Sequence, residues 1–560
     1  MTELAMIPPG LVLIAAGLLL PLFNAQIRAA IIVVAPLIAL ALVWNMPDGP
    51  VLTMNWLGYE LTPVTGDNLS RMFGTVFAIM ALIGGIFALN QARVVELASA
   101  FVYAGSAIGV VFAGDLITVF IFWELMAIGS TLVIMSNGDE AFGPGMRYAV
   151  IHFFGGVVLM AGIAGEIATT GSIAFQPMQT DSVFRWLILF GFVINTGAPP
   201  LHPWLPDAYP KSSWSGMVFL SAFTTKTAVY TLIRGFPGAE VLIWVGLFMI
   251  FYGLIYALNE NDTRRKLAYS IINQVGFMVC AVGIGNEIAL NGAAAHAFVH
   301  IIYKALLLMS AGSVLYMTGI SKFTQLGGLF RSMPMTTICC IIGALSISAA
   351  PFTSGFPAKS LIANGAAEAH MTLVWFLLTG AVAGVYIVAI KLPWFIFFQK
   401  DSGLRPAEPP LSMRLAMYAA SALCIGFGIF PGALYSMLPV ATDYNPYTGG
   451  HLVSQFQLLL AGTIVFFALL KWLKRTETIS LDVDWFWRGF GKLLAREFDV
   501  RTGIAWQGLA SNVSNMVQRF VKTIYKHHGP EGMLARTWPT GLMAFWTTVL
   551  LAATLILAYV

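Results

Sequence analysis

Three titratable side chains stand four residues apart in AHAFVHIIYKALLLM: His296, His300 and Lys304. On a helix that spacing lays them along one polar stripe. The flanking residues are apolar enough for hydrocarbon, where a charged side chain costs roughly 3 kcal/mol or more and normally faces a protein or water interior. Groups that take up and release protons, stacked at that depth, fit a proton path. The alternative is a pair of hydrogen-bonded core histidines with a snorkelling lysine.

Other isolated charges sit in equally apolar surroundings. Glu124 lies mid-run in DLITVFIFWELMAIGS, with Asp115 placed as the helix N-cap. Glu124 reads either as a proton carrier or as a structural carboxylate tying helices together. Lys226 lies deep in FLSAFTTKTAVYTLI, a titratable lysine there, with snorkelling from mid-helix the weaker alternative. A lysine can exchange its proton when buried, whereas an arginine cannot. Lys359 follows the proline-broken run SISAAPFTSGFPAKS, with Pro351 and Pro357. A matching break, NTGAPPLHPWLPDAYP, holds Pro199, Pro200, Pro203 and Pro206, with His202 inside it as a relay group or a hydrogen-bonding core group. Prolines cannot continue a regular helix, so backbone groups are freed at membrane depth. Paired broken helices mark transporters built from inverted repeats, with ion sites at the breaks; plain proline kinks are the alternative.

The elements that must position these groups are membrane helices. The 560 residues are 58% hydrophobic and only 10% charged, with mean hydropathy +0.80. That balance excludes a soluble globular domain. The formal charge of +4 is spread through loops and gives no nucleic-acid footprint. Cys280, Cys339, Cys340 and Cys424 fall in apolar stretches without a CxxC pair and read as small core residues. MTELAMIPPG has no basic region before its first apolar run, so that run reads as a retained helix.

About sixteen runs are long enough to span. Their approximate cores are 10–23, 29–45, 72–90, 97–114, 115–135, 147–168, 183–200, 214–234, 240–258, 267–285, 292–317, 335–352, 372–398, 411–435, 452–473 and 540–559. Basic residues concentrate in alternate loops, among them Arg28, Arg93, Arg147, Lys211, Arg264–Arg265–Lys266, Lys322, Arg331, Lys400, Arg405, Lys474 and Arg475. The positive-inside rule then puts these loops in the cytoplasm and both termini outside, in a bacterial inner membrane.

Taken together, WELM around Glu124, PLHPWLPDAYP, TTKTAVY around Lys226, NDTRRKLAYSIINQVGFM, HAFVHIIYKALLLMSAGSV and FPAKS resemble the antiporter-like subunits. Respiratory complex I, Mrp-type cation/proton antiporters and membrane-bound hydrogenases share this family. The resemblance covers roughly residues 70 to 400 and looks nearest to the Mrp type D subunit. It implies an all-α polytopic fold of two inverted five-helix repeats, each with a broken helix, around a mid-membrane hydrophilic axis. It also implies roles: Glu124 as the carboxylate of the first half, Lys226 as the bridge between halves, His296, His300 and Lys304 as the relay, and Lys359 as the terminal lysine. One position departs. Where the family places a lysine before the first break, this chain has Asn195 in VINTGAPP. Either Glu124 pairs directly with Lys226, or the first half-channel works differently.

Beyond Arg475, WFWRGFGKLLAREF sets Phe486, Phe490, Leu493, Leu494 and Phe498 at helical spacing, with Arg488, Lys492 and Arg496 between them; Val513 to Ile524 continue the pattern. This reads as an amphipathic lateral helix against the cytoplasmic surface or a partner, before a terminal anchor. The expected division is 1–96 N-terminal helices, 97–234 and 235–400 the two repeats, 401–475 further helices, 476–539 the amphipathic segment and 540–560 the anchor. No iron–sulfur cysteine spacing, P-loop or dinucleotide fingerprint is present, so no cofactor is expected and a redox centre would sit on another subunit. The expected partners are other membrane subunits, protons, a cation such as Na+, and the bilayer. Two functions stand open: a cation/proton antiporter subunit, or the pumping arm of a redox complex such as an NADH–quinone or hydrogenase assembly. A carbon-uptake assembly with a related subunit is a third.

Overall fold

The computed structural model describes residues 7–56, 58–473, 475–477, 481–529, 532 and 539–559. The first six residues and Lys474 lie outside the described residues, as do the side chains of Arg488 and Lys492. The chain divides into two compact units, Met1–Ser480 and Leu481–Val560.

The first unit opens with α1 (Pro9–Leu19) and α2 (Ala25–Trp44), then the strands β1 (Gly49–Trp56) and β2 (Tyr59–Gly66). Helices α3 (Asn68–Phe87), α4 (Val94–Phe112), α5 (Leu116–Met135), α6 (Asp139–Thr170), α7 (Val183–Thr196), α8 (Trp204–Ala208), α9 (Gly216–Ala222) and α10 (Thr224–Gly235) follow. Next come α11 (Val241–Asn259), α12 (Thr263–Ile284), α13 (Glu287–Thr318), α14 (Pro334–Ile347), α15 (Gly355–Glu368) and α16 (Thr372–Pro393). The unit closes with α17 (Leu411–Ile429), α18 (Pro431–Tyr435) and α19 (Gly449–Ala468). Among the described residues thirteen helices are long and apolar enough to cross a membrane, with three shorter apolar ones, Pro9–Leu22, Val183–Thr196 and Pro334–Ile347. The protein is a multi-pass, mainly helical membrane protein.

An all-α reading leaves out one element. β1 and β2 form an antiparallel hairpin with Trp56 opposite Tyr59, turning at Gly58 with φ +85°. The segments VLTMNW and YELTPV are rich in β-branched and aromatic residues and too short to span, which is a strand signal rather than a helical one.

Two successive runs of helices match in length. α4 and α11 each have 19 residues, α5 and α12 have 20 and 22, α6 and α13 each have 32, and α7 and α14 each have 14. Each run carries one isolated β-bridge at an aspartate that caps its second helix, Asp115 with Ala174 and Asp262 with Lys322. Each also stops after its fourth helix, at 197–203 and at 348–354. The second stop holds Ala349 at φ 54° and Phe352 at φ 68°, left-handed conformations that cost residues with a Cβ of order 1 kcal/mol each.

Helices α9, α10, α12 and α13 are almost wholly buried, while α2 and α19 face outward. Close packing of α11 on α12 depends on glycine. A Cβ on Gly246 would lie 2.4 Å from the Cys280 nitrogen, and one on Gly276 would lie 2.6 Å from the Gly246 oxygen. Small residues of this kind let membrane helices approach backbone to backbone.

The second unit holds α20 (Asp484–His528), one continuous helix of 45 residues, and α21 (Thr540–Tyr559). Phe486, Phe490, Leu493, Leu494 and Phe498 are exposed on α20, as are Val513, Met516, Val517, Phe520, Val521 and Ile524.

Candidate functional site

The stripe on α13 is fully buried: His296, His300 and Lys304 are each 0% exposed. Helix α12 lies beside it and supplies the polar partners. Lys304 Nζ donates to Ser270 Oγ at 2.7 Å. Tyr303 Oη donates to Gln274 Oε1 at 3.1 Å and meets His296 Nε2 at 2.8 Å. Asn273 Nδ2 donates to the Ile250 carbonyl at 2.6 Å, anchoring α12 to α11. The His300 ring stands edge-on to Tyr303 at 5.2 Å and to His296 at 6.0 Å between centroids. Neither His300 ring nitrogen has a hydrogen-bond partner among the described residues.

Two lysines reach this stripe from breaks in other helices. The run 214–234, expected as one helix, is interrupted at Phe223, between α9 and α10. No proline marks that break. Instead Tyr103 of α4 inserts its hydroxyl, accepting the Thr224 N–H at 2.8 Å and donating to the Leu220 carbonyl at 3.3 Å. Lys226 takes another carbonyl freed there, Ser221 O at 2.6 Å, and Thr225 Oγ1 at 3.0 Å. Lys359 repeats the arrangement at the break between α14 and α15, donating to the Ile347 carbonyl at 2.6 Å. Its ammonium also sits 5.0 Å from the centre of the Phe277 ring, whose other neighbour is His296 at 6.0 Å. Thus Lys226, His296, His300, Lys304 and Lys359 form one electrostatically interacting group. Beside Lys359 a cavity of about 230 Å³ is lined in part by Asn364, Tyr444, His451 and Gln455.

Glu124 stands apart from that group. It is half-buried on α5, with Oε1 so close to α6 that a Cβ on Gly156 would lie 1.9 Å from it. It forms no ion pair with Lys226 among the described residues, so the direct pairing entertained from the sequence is not what the side chains adopt. One turn before Gly156 is His152, 1% exposed, packed on Tyr148 at 4.0 Å and Trp204 at 4.6 Å. The Asn195 amide of α7 lies alongside the His152 imidazole. His152 is the fourteenth residue of its 32-residue helix, as His300 is of its own. Sequence reasoning passed over His152, although a histidine inside the apolar run 147–168 carries the same signal as His296. His202 in the first break stacks edge-on against Tyr252 at 4.6 Å.

The amines, imidazoles, phenol and hydroxyls gathered here are groups that donate or accept protons. The pairs Lys304–Ser270, Tyr303–His296 and Lys226–Thr225 stand within the 2.6–3.2 Å that transfer requires. Changing the charge on one member changes its neighbour's proton affinity, which couples the steps.

Comparison with known proteins fits this geometry. Residues 113–384 match the family model described as "NADH:quinone oxidoreductase/Mrp antiporter, TM". The chain is 27% identical over 394 residues to the A/B subunit of a probable K(+)/H(+) antiporter from Rhizobium meliloti (strain 1021), covering 65% of this chain and 39% of that protein. It is 28% identical over 451 residues to NAD(P)H-quinone oxidoreductase chain 5 of Picosynechococcus sp. (strain ATCC 27264 / PCC 7002 / PR-6), covering 71% of this chain and 66% of that one. The chain therefore spans less than two thirds of the length of either relative. Its fold is similar to that of a chain in the membrane-bound sulfane sulfur reductase, an archaeal respiratory membrane complex, with TM-score 0.72 and 22% identity over 97% of this chain and 99% of the other.

Proposed function

We propose that the chain, whose residues 113–384 match the NADH:quinone oxidoreductase/Mrp antiporter transmembrane family, is the proton- and cation-translocating subunit of a multisubunit monovalent cation/H+ antiporter, D-like within the Mrp type. The observation that carries this reading is the burial of Lys226, His296, His300, Lys304 and Lys359, each 5% exposed or less, inside helices of a membrane protein. Protons pass along His296, His300 and Lys304 to Lys359, and Glu124 with Lys226 serves the other side. Asn195 holds a hydrogen-bonding place next to His152 without carrying a proton itself. The two length-matched runs of helices act as inverted repeats within 97–234 and 235–400. Residues 1–96 and 401–475 flank them, 476–539 is a cytoplasmic-side amphipathic segment and 540–560 a terminal anchor. The termini lie on the periplasmic side of a bacterial inner membrane, and the partners are further membrane subunits.

A second reading, the proton-pumping arm of a redox complex, draws on the quinone-oxidoreductase relative. The deciding experiment is gentle purification of the complex through a tag on this chain, followed by mass spectrometry. Small antiporter subunits without redox proteins are expected. Stoichiometric iron–sulfur or flavin subunits would overturn the antiporter reading and establish the second.

A further inference from the structure

The buried stripe has an extension toward the basic loops that the relay described above does not use. One turn before Ser270, the partner of Lys304, helix α12 carries Lys266, 1% exposed. Lys266 Nζ donates to the Val388 carbonyl of α16 at 2.6 Å. Helix α16 answers with Lys391, 3% exposed, whose Nζ donates to the carbonyls of Leu258 and, at 3.3 Å, Glu260 at the end of α11. The Glu260 carboxylate is the nearby counter-charge, and it is already engaged: Oε1 accepts the N–H groups of Asn261 at 2.9 Å and Asp262 at 3.1 Å, and Oε2 faces Arg265 Nε at 3.5 Å. Cys340 of α14 is also within electrostatic reach of Lys266. Arg265 and Lys391 thus share one carboxylate, and Lys266 lies within electrostatic reach of Lys391 in the same largely buried place.

A surplus buried cation is costly, and a lysine can relieve that cost by giving up its proton, which an arginine does not do. After Lys391, Pro393 supplies no N–H, and residues Trp394–Phe398 wind as a π-helix, a form found at functional sites.

We propose that Lys391 and Lys266 form a proton-access limb that joins the Glu260 end of α11 to Lys304 through the Ser270 hydroxyl. The inference rests on the relay reading of Lys304. In the inward step an N–H bond of the Lys391 ammonium breaks as one forms on the neutral Lys266 amine. Lys266 then gives a proton to Ser270 Oγ, while the Ser270 hydroxyl proton passes to neutral Lys304. At the end Lys391 and Lys266 are neutral amines, Ser270 is again a hydroxyl and Lys304 is the ammonium, so one proton and one charge have moved inward; the outward step is the reverse. The flexible four-carbon stems of the lysines cover the one-turn spacing between Lys266 and Ser270.

The test is cation-driven proton transport by the whole complex in everted membrane vesicles, with assembly followed by native gel. Lys266→Met, Lys266→Arg and Lys391→Arg are expected to assemble and to lose transport at least tenfold. Arginine keeps the charge and the carbonyl contact, so wild-type transport by the arginine variants would make the pair a structural brace and overturn the limb. Failure of all three to assemble would count as a brace too. Ser270→Ala removes a single oxygen and keeps a folded protein in hand; undiminished transport there also overturns the limb. Lys304→Ala separates the two readings. If it transports normally the relay itself is wrong, whereas loss in Lys304→Ala with full activity in the Lys266 and Lys391 variants rejects only the limb.

Discussion

Lys304 Nζ donates to Ser270 Oγ at 2.7 Å, and this contact joins the stripe of α13 to the polar face of α12. Among the described residues, neither has an opposite charge beside it at that distance. The ammonium is held by a hydroxyl in a fully buried place, an arrangement suited to a group that alternates between charged and neutral forms.

The relay makes Lys304 indispensable. Lys304→Ala should abolish transport in vesicles, to below about a hundredth of wild type by the scale of lost proton-transfer groups, with normal assembly on a native gel. Full transport by this variant would refute the relay.

Tyr303 links His296 to Gln274 through one hydroxyl. Tyr303→Phe keeps the ring and removes that link. Transport should fall roughly tenfold, while thermal stability in detergent drops by no more than about 1 kcal/mol. Equal transport in the two proteins would show that His296 is served by another path.

Asp115 ties the start of α5 to β2. Its carboxylate accepts the N–H groups of Thr118 and Thr62, both at 2.7 Å, and the Thr118 hydroxyl at 2.7 Å. Asp115→Ala removes a helix cap and leaves a half-buried N–H of β2 unmet, so it should cost about 2 kcal/mol. A thermal melt of the purified complex checks this, with transport per folded molecule unchanged.

Asp67 caps α3 and pairs with Arg234 of α10. Burial works to raise its carboxyl, but the Arg234 guanidinium and the Ser70 contacts outweigh that and hold it below its ordinary value of 3.8. A depressed folded value means that the stabilisation is fully present above the unfolded value and fades as pH falls through the folded one. Wild type should therefore melt higher than Asp67→Asn at neutral pH, and the two curves should converge only below about pH 4. A constant gap down to pH 3 would show that the charge is not what stabilises the cap.

Glycine at the α11–α12 crossing is a steric requirement. Gly246→Val places atoms within 2.4 Å of the Cys280 nitrogen, and expression of assembled complex should fall severely. Normal yield would mean that the two helices can part without loss of the fold.

Composition and apolar runs by themselves determined that the chain is a polytopic membrane protein, because burial in hydrocarbon demands long apolar helices whatever their arrangement. Isolated charges within those runs likewise singled out Glu124, Lys226, His296, His300, Lys304 and Lys359, since so costly a residue stands out against its background. The prolines announced the breaks at 197–203 and 348–354. Tertiary structure alone decided the rest. The break at Phe223 has no proline, and its freed N–H is met by Tyr103, 121 residues away in sequence. Lys266 read as one more basic loop residue until packing buried it against α16. Glu124 and Lys226 carried opposite charges but were not brought together. These outcomes depend on which helices meet and at what height, and that is set by side-chain packing between segments distant in sequence, which periodicity along a single segment does not encode.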